Sequence, residues 1–236
     1  MKLKNISLAI GAFGVLALAN TTAEAAVYTI DNQASGYVSD GGNFTGIRPN
    51  TNYLVGLCNA SNCLSAPGEY RDFFYFVIPK LDGPIASAIL SIPTRGVTLN
   101  QSTTTTYQVT SLDIEQADLG PLSFAGLGTG TFYGSREYTV ADASTTQTID
   151  LSAAALAALG DGSLTFALGG RLSSPTDFTT TAPDQLLFGR SQNQISQLII
   201  TTVPLPATMP MMLFGLSGLS LSGYRSSKKR KELAAS

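Results

Sequence analysis

Histidine and tryptophan are absent from the 236-residue sequence, and charged residues make up only 13% of it. Without histidine there can be no Ser-His-Asp triad, no Cys-His pair and no His-ligated zinc site. Any catalysis would rest on carboxylates, Tyr, Lys or a Ser-Lys pair. Without tryptophan the strongest sugar-stacking side chain is missing. The charged share is about half that of an ordinary soluble protein. Ser, Thr, Asn, Gln and Gly must therefore cover the surface, and these are the side chains and turn formers of secreted β proteins. Cysteine occurs only at Cys58 and Cys63, which is too few for a cysteine-built metal centre. No cofactor is called for.

The few charges are unevenly placed. Seven of the fourteen basic residues stand at the two ends: Lys2, Lys4, Arg225, Lys228, Lys229, Arg230 and Lys231. Residues 26–203 keep seven basic against fourteen acidic side chains, a net charge of −7. An acidic surface of this kind argues against nucleic acid and anionic membrane surfaces as partners, because both need a basic patch to release counterions or meet lipid phosphates.

At the N-terminus Lys2 and Lys4 precede an apolar run from Ile6 to Ala19, then polar Asn20, Thr21 and Thr22, then Ala23-Glu24-Ala25. This is the order of a secretory signal peptide over residues 1–25, with cleavage between Ala25 and Ala26 set by the small residues Ala23 and Ala25. The run is also shorter than the roughly 20 residues that span a bilayer.

The C-terminal segment 203–236 has three parts. Val203-Pro204-Leu205-Pro206-Ala207-Thr208 (residues 203–208) is held extended by its prolines, a form that proteases bind. Met209 to Tyr224 is an apolar stretch diluted by Gly215, Gly218, Gly223 and three serines, and it makes a marginal membrane helix. Arg225, Lys228, Lys229, Arg230 and Lys231 then form a stop-transfer cluster that the positive-inside rule keeps in the cytoplasm.

This tripartite tail resembles the PEP-CTERM sorting signal, in the variant that opens Val203-Pro204-Leu205-Pro206-Ala207. The resemblance covers residues 203–231. It implies secretion machinery and an exosortase, a membrane-embedded cysteine protease of Gram-negative bacteria, as partners. It also implies transient residence in the inner membrane, followed by transfer to the cell surface or the exopolysaccharide matrix. Leu205 stands where the commoner form of the family has Glu, so an exosortase that accepts Leu is implied. Leu205-Pro206-Ala207-Thr208-Met209 also resembles the sortase signal, with Met209 in place of its glycine. A GPI signal, which would lack the basic end, and a permanent single-span anchor are the other readings.

Between the ends, residues 26–202 read as short β-prone runs separated by Gly, Pro, Asn and Asp. The runs are Val27–Ile30, Gly36–Ser39, Tyr53–Leu57, Tyr70–Ile78, Ile85–Ile92, Thr105–Leu112, Thr131–Val140, Thr146–Leu151, Ser163–Leu168, Gln185–Phe188 and Gln197–Thr202. That spacing predicts an all-β antiparallel sandwich of jelly-roll type, flanked by the signal helix and the C-terminal transmembrane helix. Phe73 to Ile78 is apolar on both faces, as a central strand buried on both sides requires. One helix, Ala153–Leu159, is expected, capped by Asp150 or Ser152 and ended by Gly160. Residues 149–170, 184–189 and 198–202 are loosely similar to cargo domains carrying PEP-CTERM tails. Residues 71–92 resemble a strand pair of lectin-like sandwiches.

Four features could carry chemistry. Asp113 and Glu115 share a face if extended, with Asp118 nearby; paired carboxylates are what a glycosidase needs, though solvated strand-edge acids are the commoner case. Asp40-Gly41-Gly42-Asn43 offers oxygen ligands from a tight turn but lacks the spacing of a dedicated calcium loop. Tyr37, Tyr53, Tyr107 and Tyr133 could stack sugars if exposed. Cys58 and Cys63 enclose four residues and are expected to form a disulfide in an exported chain. The chain is thus read as a non-enzymatic protein of the cell surface or matrix, with a carbohydrate-binding, lectin-like module as the alternative.

The disulfide reading predicts that exported protein is two hydrogens lighter before reduction than after it, and takes up alkylating reagent only once reduced. Two alkylatable thiols in the unreduced protein would contradict it.

Overall fold

Residues alternate between core and solvent along several of the chain's apolar runs. Leu198, Ile200 and Thr202 are buried, while Gln197, Ile199 and Thr201 between them are not. A period of two is the signature of a strand with one face on a core. The computed structural model describes residues 25–42, 44–45, 53–59, 67–113, 122–174, 184–188 and 195–203. They belong to a compact unit running from Glu24 to Pro204.

Thirteen strands form among these residues. They are β1 (Val27–Asp31), β2 (Ala34–Ser39), β3 (Phe44–Thr45), β4 (Val55–Cys58), β5 (Gly68–Val77), β6 (Ile85–Thr94) and β7 (Val97–Leu99). There follow β8 (Thr104–Ser111), β9 (Phe132–Thr139), β10 (Thr145–Asp150), β11 (Thr165–Ser174), β12 (Gln185–Leu187) and β13 (Gln197–Thr202). The helix α1 (Ala153–Leu159) lies between β10 and β11. All eleven expected runs are strands, with ends shifted by a few residues. Two strands were not anticipated. β3 has two residues and β7 three, too short to show alternation.

Every pairing is antiparallel. One sheet has the order β1-β13-β6-β10 and the other β7-β12-β4-β5-β11-β8-β9, with β2 also paired to β5 and β3 to β2. β7 and β9, the ends of the larger sheet, come back into contact, so that sheet curls toward a barrel. The two sheets share one core. Ile30, Leu90, Ile92, Ile149, Leu198 and Ile200 from the smaller sheet meet Phe74, Phe76, Tyr107, Val109 and Leu168 from the larger.

β5 is buried on both faces. Phe74 and Phe76 enter the main core, while Phe73 and Tyr75 pack on the opposite face with Ala34, Val38, Leu127 and Ala167. Arg71 pins the cover over that second face. Its guanidinium donates to the carbonyls of Leu127 (2.8 Å) and Phe124 (3.3 Å), lies 4.1 Å from the centroid of the Phe124 ring, and pairs with Glu69 (2.9 Å).

The helix forms where expected but is closed differently. Ser152 stands at the N-cap position, yet its hydroxyl makes no cap bond and donates instead to the Phe132 carbonyl (3.2 Å), tying α1 to β9. Gly160 has right-handed φ and ψ, so the helix end makes no use of glycine's freedom. What fixes α1 is burial of Ala155 and Leu159 in the main core. Among the described residues no helix is long and apolar enough to cross a membrane. The expected signal peptide up to residue 24 and the tail from residue 204, including span 209–224, lie outside the described residues.

Gly170 holds a different kind of constraint. A methyl group there would run into the Tyr107 hydroxyl and the Asp72 carboxylate, which pack directly over it. Gly170→Ala is therefore expected to lose about 1–3 kcal/mol by overpacking, read as a lower midpoint in denaturant unfolding. Unchanged stability would mean that the Asp72–Tyr107 pair can move aside freely.

Candidate functional site

Three places in the unit combine polar groups or chain ends in a way that bears on function. The first is where the residues next to the two expected processing segments meet. Ala26 is the residue that follows the expected signal cleavage, and its carbonyl accepts the Thr202 amide (2.9 Å). Val27 faces Thr201 in the β1–β13 register. Val203 donates its amide to the Pro84 carbonyl (2.7 Å), and its own carbonyl packs on Gly83, whose φ of +94° leaves no place for a side chain. The expected start of the mature domain and Val203, the first residue of the expected tail motif, are thus held at the same end of the β1–β13 pair. Of the motif residues, Val203 is described and exposed, whereas Pro204, Leu205, Pro206 and Ala207 lie outside the described residues. So do Ala23 and the cluster Arg225, Lys228, Lys229, Arg230 and Lys231. Ala25 is exposed and Ala26 half-buried.

The second is a shallow cleft of about 240 Å³ where β8, β9, β11 and the loop after α1 meet. Asp113 and Asp161 lie on its wall with Ser111, Ser163 and Tyr133. Asp161 accepts the Ser163 amide (2.7 Å), which fixes that loop. Ser111 Oγ accepts the Thr131 amide (2.8 Å) and hydrogen-bonds the Tyr133 hydroxyl. Burial raises the Tyr133 pKa, and the neighbouring Asp161 charge adds to the rise. The Tyr133 ring is stacked on Phe166 (5.6 Å, 11°), so only its edge and hydroxyl face the cleft. Carboxylates and hydroxyls arranged this way can accept and donate hydrogen bonds to a polyhydroxylated ligand. Sequence spacing brought Asp113 forward but not Asp161, which a chain distance of 48 residues separates from it. Glu115 and Asp118, the expected partners of Asp113, lie outside the described residues.

The other tyrosines proposed for sugar stacking are interior residues. Tyr37, Tyr53 and Tyr107 are at most 2% exposed. Tyr37 packs edge-on to Tyr70 (5.2 Å), and Tyr53 donates to the Pro93 carbonyl (2.8 Å). None has a free ring face for a ligand, because aromatic rings buried in a core are worth more than exposed ones. The turn at Asp40 is closed by the Gly42 amide donating to Ser39 (2.9 Å), and the Asp40 carboxylate packs on Gly68. Asn43 lies outside the described residues. Cys58 is buried at the end of β4, next to Asn59, whose amide donates to Asp184 (2.6 Å). Cys63 lies outside the described residues. Among the described residues no cluster of acidic and cysteine side chains is suited to a metal ion.

The third place is one that the sequence reading missed. Asp72 is fully buried, accepts the Tyr107 hydroxyl (2.9 Å) on one oxygen and, among the described residues, has no partner on the other. Burial, the largest influence, raises its pKa well above the usual carboxylate range, and the Tyr107 bond offsets only part of this. Burial and the Asp72 charge also raise Tyr107. Asp72 alternates with Phe74 and Phe76 along β5, so it points into the core, and this periodicity could have revealed it.

The sign of the resulting pH effect follows from linkage. With the folded pKa above the unfolded value of about 3.9, the native chain holds its proton where the unfolded chain has lost it. The stabilisation is complete below that value and declines as pH rises toward the folded pKa. Asp72→Asn, which cannot ionise, is expected to flatten the decline of unfolding free energy as pH rises above about 4. An identical slope in parent and variant would assign the decline to other groups.

No protein-family model matches the chain, and no curated protein matches it.

Proposed function

We propose that this chain is the precursor of an exported, non-enzymatic protein of the bacterial cell surface or extracellular matrix, with residues 203–231 as an exosortase-type sorting signal. The observation that carries the reading is the tail itself: Val203-Pro204-Leu205-Pro206-Ala207, sixteen weakly apolar residues and five basic ones. The fold supports it in one respect. β13 ends at Thr202 and the motif begins at Val203, so a cut within the motif removes the tail without taking a strand. We read the fold as a jelly-roll-like sandwich whose larger sheet curls toward a barrel. Such a scaffold suits a role in which the surface, not a buried site, is the working part. The net charge of −7 over residues 26–203 favours matrix components that are neutral or bridged by cations over anionic polymers bound directly.

A second reading has its own observation. The cleft that joins Asp113, Asp161, Ser111, Ser163 and the Tyr133 hydroxyl offers hydrogen-bonding groups for a carbohydrate. In this reading the domain is a lectin-like module that grips exopolysaccharide. A glycan array probed with parent and with an Asp113→Asn, Asp161→Asn double variant separates the two, since only the lectin reading predicts binding that the variant loses.

For sorting, replacing Pro204 and Pro206 together by Ala is expected to leave most of the chain uncut in the inner membrane, because a helix entering from the span can then cover the motif. Deleting residues 225–231 is expected to release uncut chain into the periplasm, because nothing then stops translocation. Fractionation and immunoblotting measure both. Parent-like processing of both variants would remove the sorting reading and leave a simple anchor.

A further inference from the structure

The end of the unit from which Val203 leaves is unusually apolar at its surface. Leu164 is 69% exposed, Val27 63%, Val203 47% and Val77 39%. They are connected. Val77 faces Thr165, next to Leu164, across the β5–β11 register. Val203 is bonded to Pro84, and Tyr28, beside Val27, accepts the Asp82 amide (3.0 Å). Between them lies a cleft of about 300 Å³ walled by Ile78, Leu81, Pro84, Ile85, Leu159 and Leu164. A patch of this kind on one end of a domain marks a contact surface.

We propose that this end docks on the lipid bilayer that holds the tail, so that the precursor lies against the outer face of the membrane and does not merely hang from it. The proposal rests on the reading of residues 209–224 as a membrane span. Only Pro204 to Thr208 separate Val203 from the span. The six steps from Val203 to Met209, however they run, extend no further than about 20–22 Å. The end that carries Val203, Leu164 and the cleft is therefore tethered within that distance of the lipid surface. Lys80, exposed at the cleft rim, can meet a lipid phosphate, while Asp82 and Asp161 at the same end oppose anionic headgroups. Apolar contact, not charge, is thus the attraction, as for shallow interfacial anchors.

The test has an internal control. Val140 is 62% exposed but stands beside the β6 terminus at Thr94, the far end from Ile85, which lies next to the Val203 end. The ten residues of β6 place these ends about 30 Å apart. The photoreactive residue benzoylphenylalanine replaces Leu164 or Val140, one at a time, in the full chain reconstituted in vesicles of phosphatidylethanolamine and phosphatidylglycerol containing radiolabelled phospholipid. Lipid adducts at position 164 are expected to exceed those at 140 by at least about tenfold, with little change when salt is raised. Equal or absent adducts at 164, with the chain still resistant to carbonate extraction, would overturn docking while leaving the span in place. A chain that carbonate extracts would overturn the span and docking together. An adduct to protein in place of lipid at 164, on repeating the irradiation in native membranes, would assign this end to a protein partner and overturn the proposal.

Discussion

The structure depends on the place of its last strand. β13 lies between β1 and β6 in the smaller sheet, bonded to both along its length. Its inward residues Leu198 and Ile200 are fully buried in the main core. Without β13, β1 loses the one strand it pairs with among the described residues, and that core loses one wall. The first and last strands are also separated by most of the unit's sequence, so pairing them closes a very long loop, the slowest kind of contact to form. The fold is complete only when residues 197–202 have arrived. Val203 follows β13 directly and adds one bond, from its amide to the Pro84 carbonyl. Under the proposed sorting reading, that order would let the tail be removed after the domain has closed.

A second constraint comes from the polar groups of the core. Phe188 takes a positive φ of 74°, rare for a bulky residue. It is compensated by ring contacts with Tyr107 (5.0 Å), Tyr53 (5.6 Å) and Tyr138 (5.6 Å). Asp72 sits at the edge of this aromatic set through Tyr107, and Gly170 leaves the space it occupies. Strand β12, which precedes Phe188, bridges β4 and β7 and so helps curl the larger sheet. The aromatic cluster is therefore a fastening of the curled sheet, and the tyrosines that looked available for ligands belong to it.

Much of this fold was legible in the sequence because it rests on local signals. The β-prone run Gln197–Thr202 and the doubly apolar run from Phe73 to Ile78 each dictated a strand, and the second its burial on both faces. The alanine run Ala153–Leu159 dictated the helix. Short strands such as β3 and β7 were not legible, since they exist only because a neighbour offers an edge. The helix cap failed for a related reason, as Ser152 found a better partner in the carbonyl of Phe132 on β9 than in its own helix. Side-chain direction was the harder problem for the site. Tyr37 and Tyr107 occur in strands, and Tyr53 just ahead of β4, where either face could have been solvent, and only the closing of two sheets decides that they point inward. Asp161 joins Asp113 through a tertiary contact that no spacing encodes.

The proposed precursor is expected to leave an intact domain, Ala26 to Val203, once the proposed signal and tail cleavages have occurred. Intact mass of the protein recovered from outside the cell tests it directly. The account predicts a chain that starts at Ala26 and ends between Val203 and Ala207, allowing for any group attached at the new end. A product that ends before Thr202, or one that keeps residues 209–231, would contradict it.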